Sequence, residues 1–227
     1  DKPDSNASGV AVTEHREDSG AFVAGTSFSL TGADGARTIG FRSADNLGNV
    51  ETERSISVAL DNAAPVTDFT IVGPRHEGAS TFITSASSIS FTASDGPGAG
   101  VDRIEVSVDD TGYAAYSGAI SFAAEGAHTI EYRTVDLLGN IEAPKVLAVV
   151  VDNSTPATSL SIGSPTFSDS TGTYLTSLSP LSLSAVDLPS GPGLAAGVAT
   201  TEYRIDGGAF IEGLNFTVVG ADENHTV

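Results

Sequence analysis

A set of Asp and Asn residues recurs at matched places along the chain and has the chemistry to hold a hard cation. Asp45-Asn46-Leu47-Gly48-Asn49 and Asp136-Leu137-Leu138-Gly139-Asn140 share one D-x-x-G-N pattern. Asp61-Asn62 and Asp152-Asn153 each stand shortly before a proline, Pro65 and Pro156. Asp95 and Asp187 open loops rich in Gly and Pro. Ca²⁺ takes six to eight oxygens from carboxylates, amides and carbonyls. Asp45, Asn49, Asp61, Asn62, Asp95, Asp136, Asn140, Asp152, Asn153 and Asp187 are therefore the candidate ligands for Ca²⁺ at junctions between successive units. The same residues have a plainer use. Gly supplies positive φ, and Asp and Asn bond nearby amides, so D-x-x-G-N also reads as a hairpin turn.

Other chemistry is sparse. The chain has no Cys, which removes disulfides, thiolate metal sites and Cys nucleophiles. Its histidines are His15, His76, His128 and His225, and none forms the i, i+4 pair of a zinc-protease helix. No G-x-S-x-G marks a nucleophile elbow. Catalytic residues are expected to be absent. Lys2 and Lys145 are the lysines, and Arg54 stands at the repeat position of Lys145, so a Lys–Asn crosslink in each unit is not expected. Sequons at Asn6, Asn153, Asn215 and Asn224 read as chance matches in a Ser- and Thr-rich chain. Tyr113, Tyr116, Tyr174 and Phe210 are the aromatics that a carbohydrate site would use. Tyr113 recurs as Phe22 and Phe210, and that recurrence favours a core position.

What positions these residues is an internal repeat. Residues 38–49 read TIGFRSADNLGN and residues 129–140 read TIEYRTVDLLGN, 91 positions later (140 − 49). Pro65 and Pro156 keep the same spacing. Residues 9–22, 100–113 and 197–210 form a second matched set, the last pair 97 positions apart (197 − 100). The expected organisation is a tandem array of period 90–97: a partial unit at 1–62 lacking its first strands, a complete unit at 63–153, and a partial unit at 154–227 lacking its last strands.

Within the middle unit the residues alternate with period two, the pattern of half-buried strands. Runs at 68–72, 87–93, 103–108, 119–124, 128–135 and 145–152 are expected strands. No stretch has helical period and caps. Short strands with turns every 8–12 residues predict an all-β, immunoglobulin-like sandwich. With 40% hydrophobic and 17% charged residues the 227-residue chain can build such cores. Its net charge of −19 argues against nucleic acid and anionic membrane surfaces as partners. No apolar run reaches the length of a membrane span, so membrane insertion is not expected.

The order GV, EYRIDGGAF, HTI, YRTVDLLGN and a closing VDN before Pro resembles the tandem immunoglobulin-like repeats of large bacterial secreted and surface proteins. The resemblance covers nearly the whole chain beyond about residue 8, and departs from the pattern at DDTGY, 109–113. It implies a bacterial extracellular or cell-surface location and a non-catalytic, modular role. Two roles follow. One is a stalk, spacer or filament whose partners are other copies of itself or adjacent repeats of a longer chain, with head-to-tail strand complementation as the assembly mode. The other is an adhesin or carbohydrate-binding module holding a surface ligand in its loops.

Overall fold

A computed structural model describes residues 8–189, 193–220 and 223–227. Lys2 and the Asn6 sequon lie outside the described residues.

The first stretch carries β1 (Val10–Glu17), β2 (Val23–Ala24), β3 (Gly35–Asp45) and β4 (Arg54–Leu60). The middle stretch carries β5 (Val66–Val72), β6 (Arg75–Glu77), β7 (Thr81–Ile83), β8 (Ser88–Ser94), β9 (Val101–Val108), β10 (Ala114–Ala115), β11 (Gly126–Asp136) and β12 (Lys145–Val151). The last carries β13 (Ala157–Ile162), β14 (Thr166–Ser168), β15 (Thr173–Leu175), β16 (Leu181–Val186), β17 (Glu202–Tyr203), β18 (Ile211–Glu212) and β19 (Asn215–Phe216). The chain is all-β. Among the described residues no helix is long and apolar enough to cross a membrane.

Pairing is local. β2-β1-β3-β4 form one sheet, β10-β9-β11-β12-β7-β6 a second, β5-β8 a third and β13-β16-β19 a fourth. The middle stretch is an immunoglobulin-like sandwich. Its β5–β8 pair faces the β9–β11–β12 part of the six-stranded sheet, and the alternating residues of both meet in one core. Ile71, Ile89 and Phe91 come from one layer; Val106, Ile130, Tyr132, Leu147, Val149 and Val151 come from the other. The Phe91 ring lies 4.8 Å from Tyr132 and 5.4 Å from Tyr116. Burying each aliphatic side chain of this set contributes about 1.5–3 kcal/mol. Glu131 and Arg133, between the buried positions of β11, face the other way, as period two requires.

The strand expected at 145–152 is β12, which lies between β11 and β7 and is apolar because it is covered. The run at 119–124 is not a strand. Ile120 makes an isolated antiparallel bridge to Ile89, and Phe122 drops into the core. The run alternates like a strand because Ile120 and Phe122 both point inward, yet only Ile120 finds a ladder partner.

Both D-x-x-G-N turns begin at a register shift. Asp136 pairs with Val101 across a bulge after Val135, and Asp45 pairs with Val10 across a bulge between Val10 and Val12. The bulges re-aim the strand ends and set where the Asp carboxylates stand.

Candidate functional site

The turn chemistry comes first. Asp136 Oδ1 accepts the N–H groups of Leu138 at 2.9 Å and Asn140 at 2.7 Å, and its Oδ2 accepts the Asn140 side-chain amide at 2.7 Å. Gly139, at φ 89°, closes the turn. Asp45 repeats the arrangement with Leu47, Asn49 and Gly48, and adds Ser8 Oγ at 3.0 Å. Hydrogen bonds from the Asn49 side chain and then its backbone hold the Asp45 carboxyl at about 2, below the usual 3.8. Burial pushes Asp136 upward, but the Asn140, Leu138 and Gly139 donors outweigh it and the carboxyl stays below its ordinary value. The hairpin-turn reading of these residues is what the geometry carries out in full.

The turn at 136–140 also meets the segment that follows β4. Ala99 donates its N–H to Asp61 Oδ2 at 2.6 Å, and the Asn140 side-chain amide donates to the Asp61 carbonyl at 3.4 Å. Gly100 N–H binds Asp95 Oδ2 at 2.7 Å, and Leu137 N–H closes the loop onto the Gly100 carbonyl at 3.0 Å. One carboxylate oxygen from each of Asp61, Asp95 and Asp136 then lies within 4.8 Å of the others. Asp136 is buried; Asp61 and Asp95 are half-buried. Asp95 Oδ1 is enclosed and has no hydrogen-bond partner. Gly98 keeps the space open, because a Cβ there would run into Asp95 and lie 2.8 Å from Asp61 Oδ2.

Amide donors face all three carboxylates, Ala99 at Asp61, Gly100 at Asp95, and Leu138 and Asn140 at Asp136. Together the three residues gather carboxylate oxygens, the donor type that a hard divalent cation takes. The sequence nominated all three residues from separate segments, and the fold brings them together.

The segment that follows β12 repeats two members. Asp152 Oδ2 accepts Ala196 N–H at 2.6 Å, Asp187 Oδ2 accepts Gly197 N–H at 2.9 Å, and Asp187 Oδ1 is again enclosed without a partner. Among the described residues Asp152, Asp187 and Asp45 join no three-carboxylate group. Asn62 and Asn153 point elsewhere. Asn62 binds Asp34 Oδ1 through its backbone at 2.9 Å and its side chain at 2.8 Å. Asn153 accepts Ser85 N–H at 2.8 Å and donates its own N–H to Glu125 at 3.1 Å. These tie strand ends together. Asn49 caps its own turn.

The aromatic expectations need correction. Tyr116 packs on the core, where its hydroxyl accepts Phe91 N–H at 3.2 Å, so it offers no ligand platform. The recurring Tyr113, Phe22 and Phe210 are not core residues. Arg133 lies 4.0 Å over the Tyr113 ring, Arg42 3.8 Å over Phe22 and Arg204 5.0 Å over Phe210. A recurring aromatic looks the same in sequence whether it fills a core or stacks on a strand arginine. Tyr174 is exposed beside Phe167 on the β14–β15 hairpin, ring centroids 6.1 Å apart.

Two clusters escaped the sequence. Thr67 Oγ1 contacts Glu142 Oε2 and Thr134 Oγ1, both at 2.5 Å, and Lys145 Nζ reaches Glu142 Oε1 and the Thr67 carbonyl, both at 2.7 Å. Lys145 thus serves an ion pair, as Arg54 does with Glu51 at 2.7 Å. Asp109 and His128 form the other cluster; the remaining ring nitrogen of His128 faces the Ala124 carbonyl at 3.3 Å, where a nucleophile's hydroxyl would have to stand. The signal for that pair was a repeated spacing, an Asp with a His 19 residues on, as in Asp109 with His128 and Asp206 with His225.

No protein-family model and no curated protein sequence matches the chain. Among solved structures it is similar to the fibronectin(III)-like modules of Clostridium thermocellum CbhA. That likeness has 17% identity and a TM-score of 0.33, over 65% of this chain and 80% of that one.

Proposed function

We propose that the chain is a non-catalytic, extracellular spacer of a bacterial surface or secreted protein, built from tandem sandwich units whose junction is stiffened by Ca²⁺. The convergence of Asp61, Asp95 and Asp136 carries this reading. Asp61 belongs to the segment leaving the first unit, Asp95 to a loop of the second and Asp136 to its D-x-x-G-N turn. A cation held by all three would join the segments that set the angle between neighbouring units. Ca²⁺ suits an all-carboxylate, partly open donor set; water and carbonyl oxygens would complete its coordination. A ligand that binds the folded form alone raises stability by mass action.

The test is thermal unfolding of the chain after chelation, with and without millimolar-range Ca²⁺, combined with solution scattering. Added Ca²⁺ should raise the melting temperature and lengthen the particle, and Asp95→Asn should remove both effects. An unchanged melting temperature in the wild-type chain would end the calcium reading. A compact, non-extended particle in either condition would end the spacer reading.

The exposed Phe167–Tyr174 pair favours a second role, adhesion through carbohydrate. Glycan binding lost in Tyr174→Ala, with unchanged unfolding, would support that role over the spacer.

A further inference from the structure

We infer that the Glu142–Lys145 ion pair and Arg75 seal the open edge of β5 against the β5 of a second copy. The inference goes beyond the spacer reading and requires no cation.

Among the described residues β5 pairs with β8 alone, so one side of its backbone is an edge. In an antiparallel pair alternate residues turn N–H and C=O toward the partner strand, and the others turn them away. The register tells which are which. Ile89, opposite Ile71, exchanges both backbone bonds with Ile120, at 2.8 and 2.9 Å. Phe91, opposite Phe69, donates its N–H to the Tyr116 hydroxyl at 3.2 Å. Both face away from β5. Thr67, Phe69 and Ile71 therefore turn their own backbone groups to the open side.

Side chains occupy that side. Thr67 N–H donates to Glu142 Oε1 at 3.0 Å, and the Thr67 carbonyl accepts Lys145 Nζ at 2.7 Å. Lys145 Nζ and Glu142 Oε1 are themselves 2.7 Å apart. The pair thus offers Thr67 one acceptor and one donor, as the next strand of a sheet would. Toward the other end of β5 the Ile71 carbonyl accepts Arg75 Nη1 at 3.3 Å. Phe69 stands between the two caps, 42% exposed although it lies mid-strand.

The strand itself explains why a seal is useful. Val66–Val72 reads VTDFTIV, seven β-prone residues with one charge and neither Pro nor Gly, the composition that adds strand to strand. It is also self-complementary. Turned antiparallel about Phe69, a second copy sets Phe69 against Phe69 and Thr67 against Ile71, with the outward groups of all three in ladder register. The Thr67–Ile71 pairs on either side of that centre need groups that Glu142, Lys145 and Arg75 already hold. Charged side chains are a usual guard on an edge strand, and here they bind the backbone directly.

The experiment is sedimentation of the full chain in chelator over rising concentration, with hydrogen exchange on the same samples. It compares the wild type, the double variant Arg75→Ala, Lys145→Ala, and the double variant with Phe69→Pro added. The double variant should associate at concentrations about tenfold or more below the wild type, the worth of one or two released backbone hydrogen bonds. Its Phe69 and Ile71 amides should gain protection as it does so. Pro at position 69 removes an outward N–H and no bond to β8, so it should return the double variant to wild-type behaviour. Protection of β11 is the folding control throughout. If loss of Lys145 opens the unit, Arg75→Ala alone decides, because Arg75 caps the Ile71 carbonyl from an exposed position. More association than the wild type would then support the seal, and no increase would overturn it. A folded double variant that sediments as the wild type does, or association that Phe69→Pro leaves unchanged, would overturn it as well.

Discussion

Asp109 Oδ2 lies 2.8 Å from His128 Nδ1 while Asp109 Oδ1 accepts Thr129 N–H at 2.8 Å, so one carboxylate fastens two adjacent residues of the neighbouring strand. The backbone joins in, with Asp109 N–H donating to the Thr129 carbonyl at 2.9 Å. Asp206 repeats the clasp with His225 at 2.6 Å and Thr226 at 2.8 Å. Asp18 repeats its backbone half with Thr38 at 2.8 Å, where Arg37 replaces the histidine and pairs with Glu17. Asp109, Asp206 and Asp18 have φ of 47°, 51° and 51°, the left-handed region that Asp tolerates better than most residues.

Two properties of Asp are thus used at one position, and substitutions separate them. Asp109→Gly loses the carboxylate but relaxes the backbone; Asp109→Ala loses the carboxylate and keeps the strain. We expect Asp109→Ala to cost about 1–2 kcal/mol, given the half-exposed site, and Asp109→Gly to cost less. Urea denaturation of the two variants checks the order. Equal losses would mean that the φ value contributes nothing.

The clasp also has a pH signature. Burial raises the Asp109 carboxyl, but the His128 and Thr129 hydrogen bonds overcome this and hold it below 3.8. The His225 side chain and Thr226 backbone lower Asp206 in the same direction. A carboxyl lowered in the folded state contributes stability that is fully present above its unfolded value and lost as pH falls through the folded one. Stability should therefore hold steady above the carboxylate range and decline once pH drops below 3.8. Asp109→Asn should flatten part of that decline. A decline that begins near neutrality and is unchanged in the variant would contradict the assignment.

The sequence reveals this architecture where residue type alone decides. The repeat, the β11 and β12 strands and the Asp turns are legible because alternation and Gly placement have few other meanings. Asp61, Asp95 and Asp136 are legible as candidates because they sit at loop mouths, although their meeting depends on a bulge after Val135 that no local pattern announces. Asn62 and Asn153 mislead because their partners, Asp34 and Glu125, lie 28 residues back across a hairpin. β6 and β7 are three residues each, too short for any period to show.

The Thr67–Glu142 cluster predicts a stability loss of a different kind. Glu142 is buried, and burial raises its carboxyl, while Lys145 and Thr67 more than offset this and keep it lowered. Thr67→Val preserves shape and removes the hydroxyl, leaving Glu142 and Thr134 each short of a partner. The expected cost is about 1–3 kcal/mol. Denaturant unfolding measures it, and Thr134→Val made alongside gives the coupling between the two hydroxyls. A neutral Thr67→Val would show that the lysine and the Thr67 backbone satisfy Glu142 by themselves.

Gly98 offers the cleanest handle on the junction because it carries no charge. It lies outside the positive-φ region, so Ala strains no backbone there, and the atoms nearest the added Cβ belong to the carboxylates of Asp95 and Asp61. Moving those ends gives up the hydrogen bonds from Gly100 and Ala99, so Gly98→Ala should cost about 1–2 kcal/mol of stability in chelator. Swinging away also separates the oxygens that gather within 4.8 Å of Asp136. The Ca²⁺-dependent rise in melting temperature should then shrink sharply, although every acidic residue is still present. Calorimetry of wild type and Gly98→Ala, each with chelator and with Ca²⁺, separates the two effects. A full Ca²⁺ response in the variant would show that the cation binds by diffuse acidity and not through the gathered set of Asp61, Asp95 and Asp136.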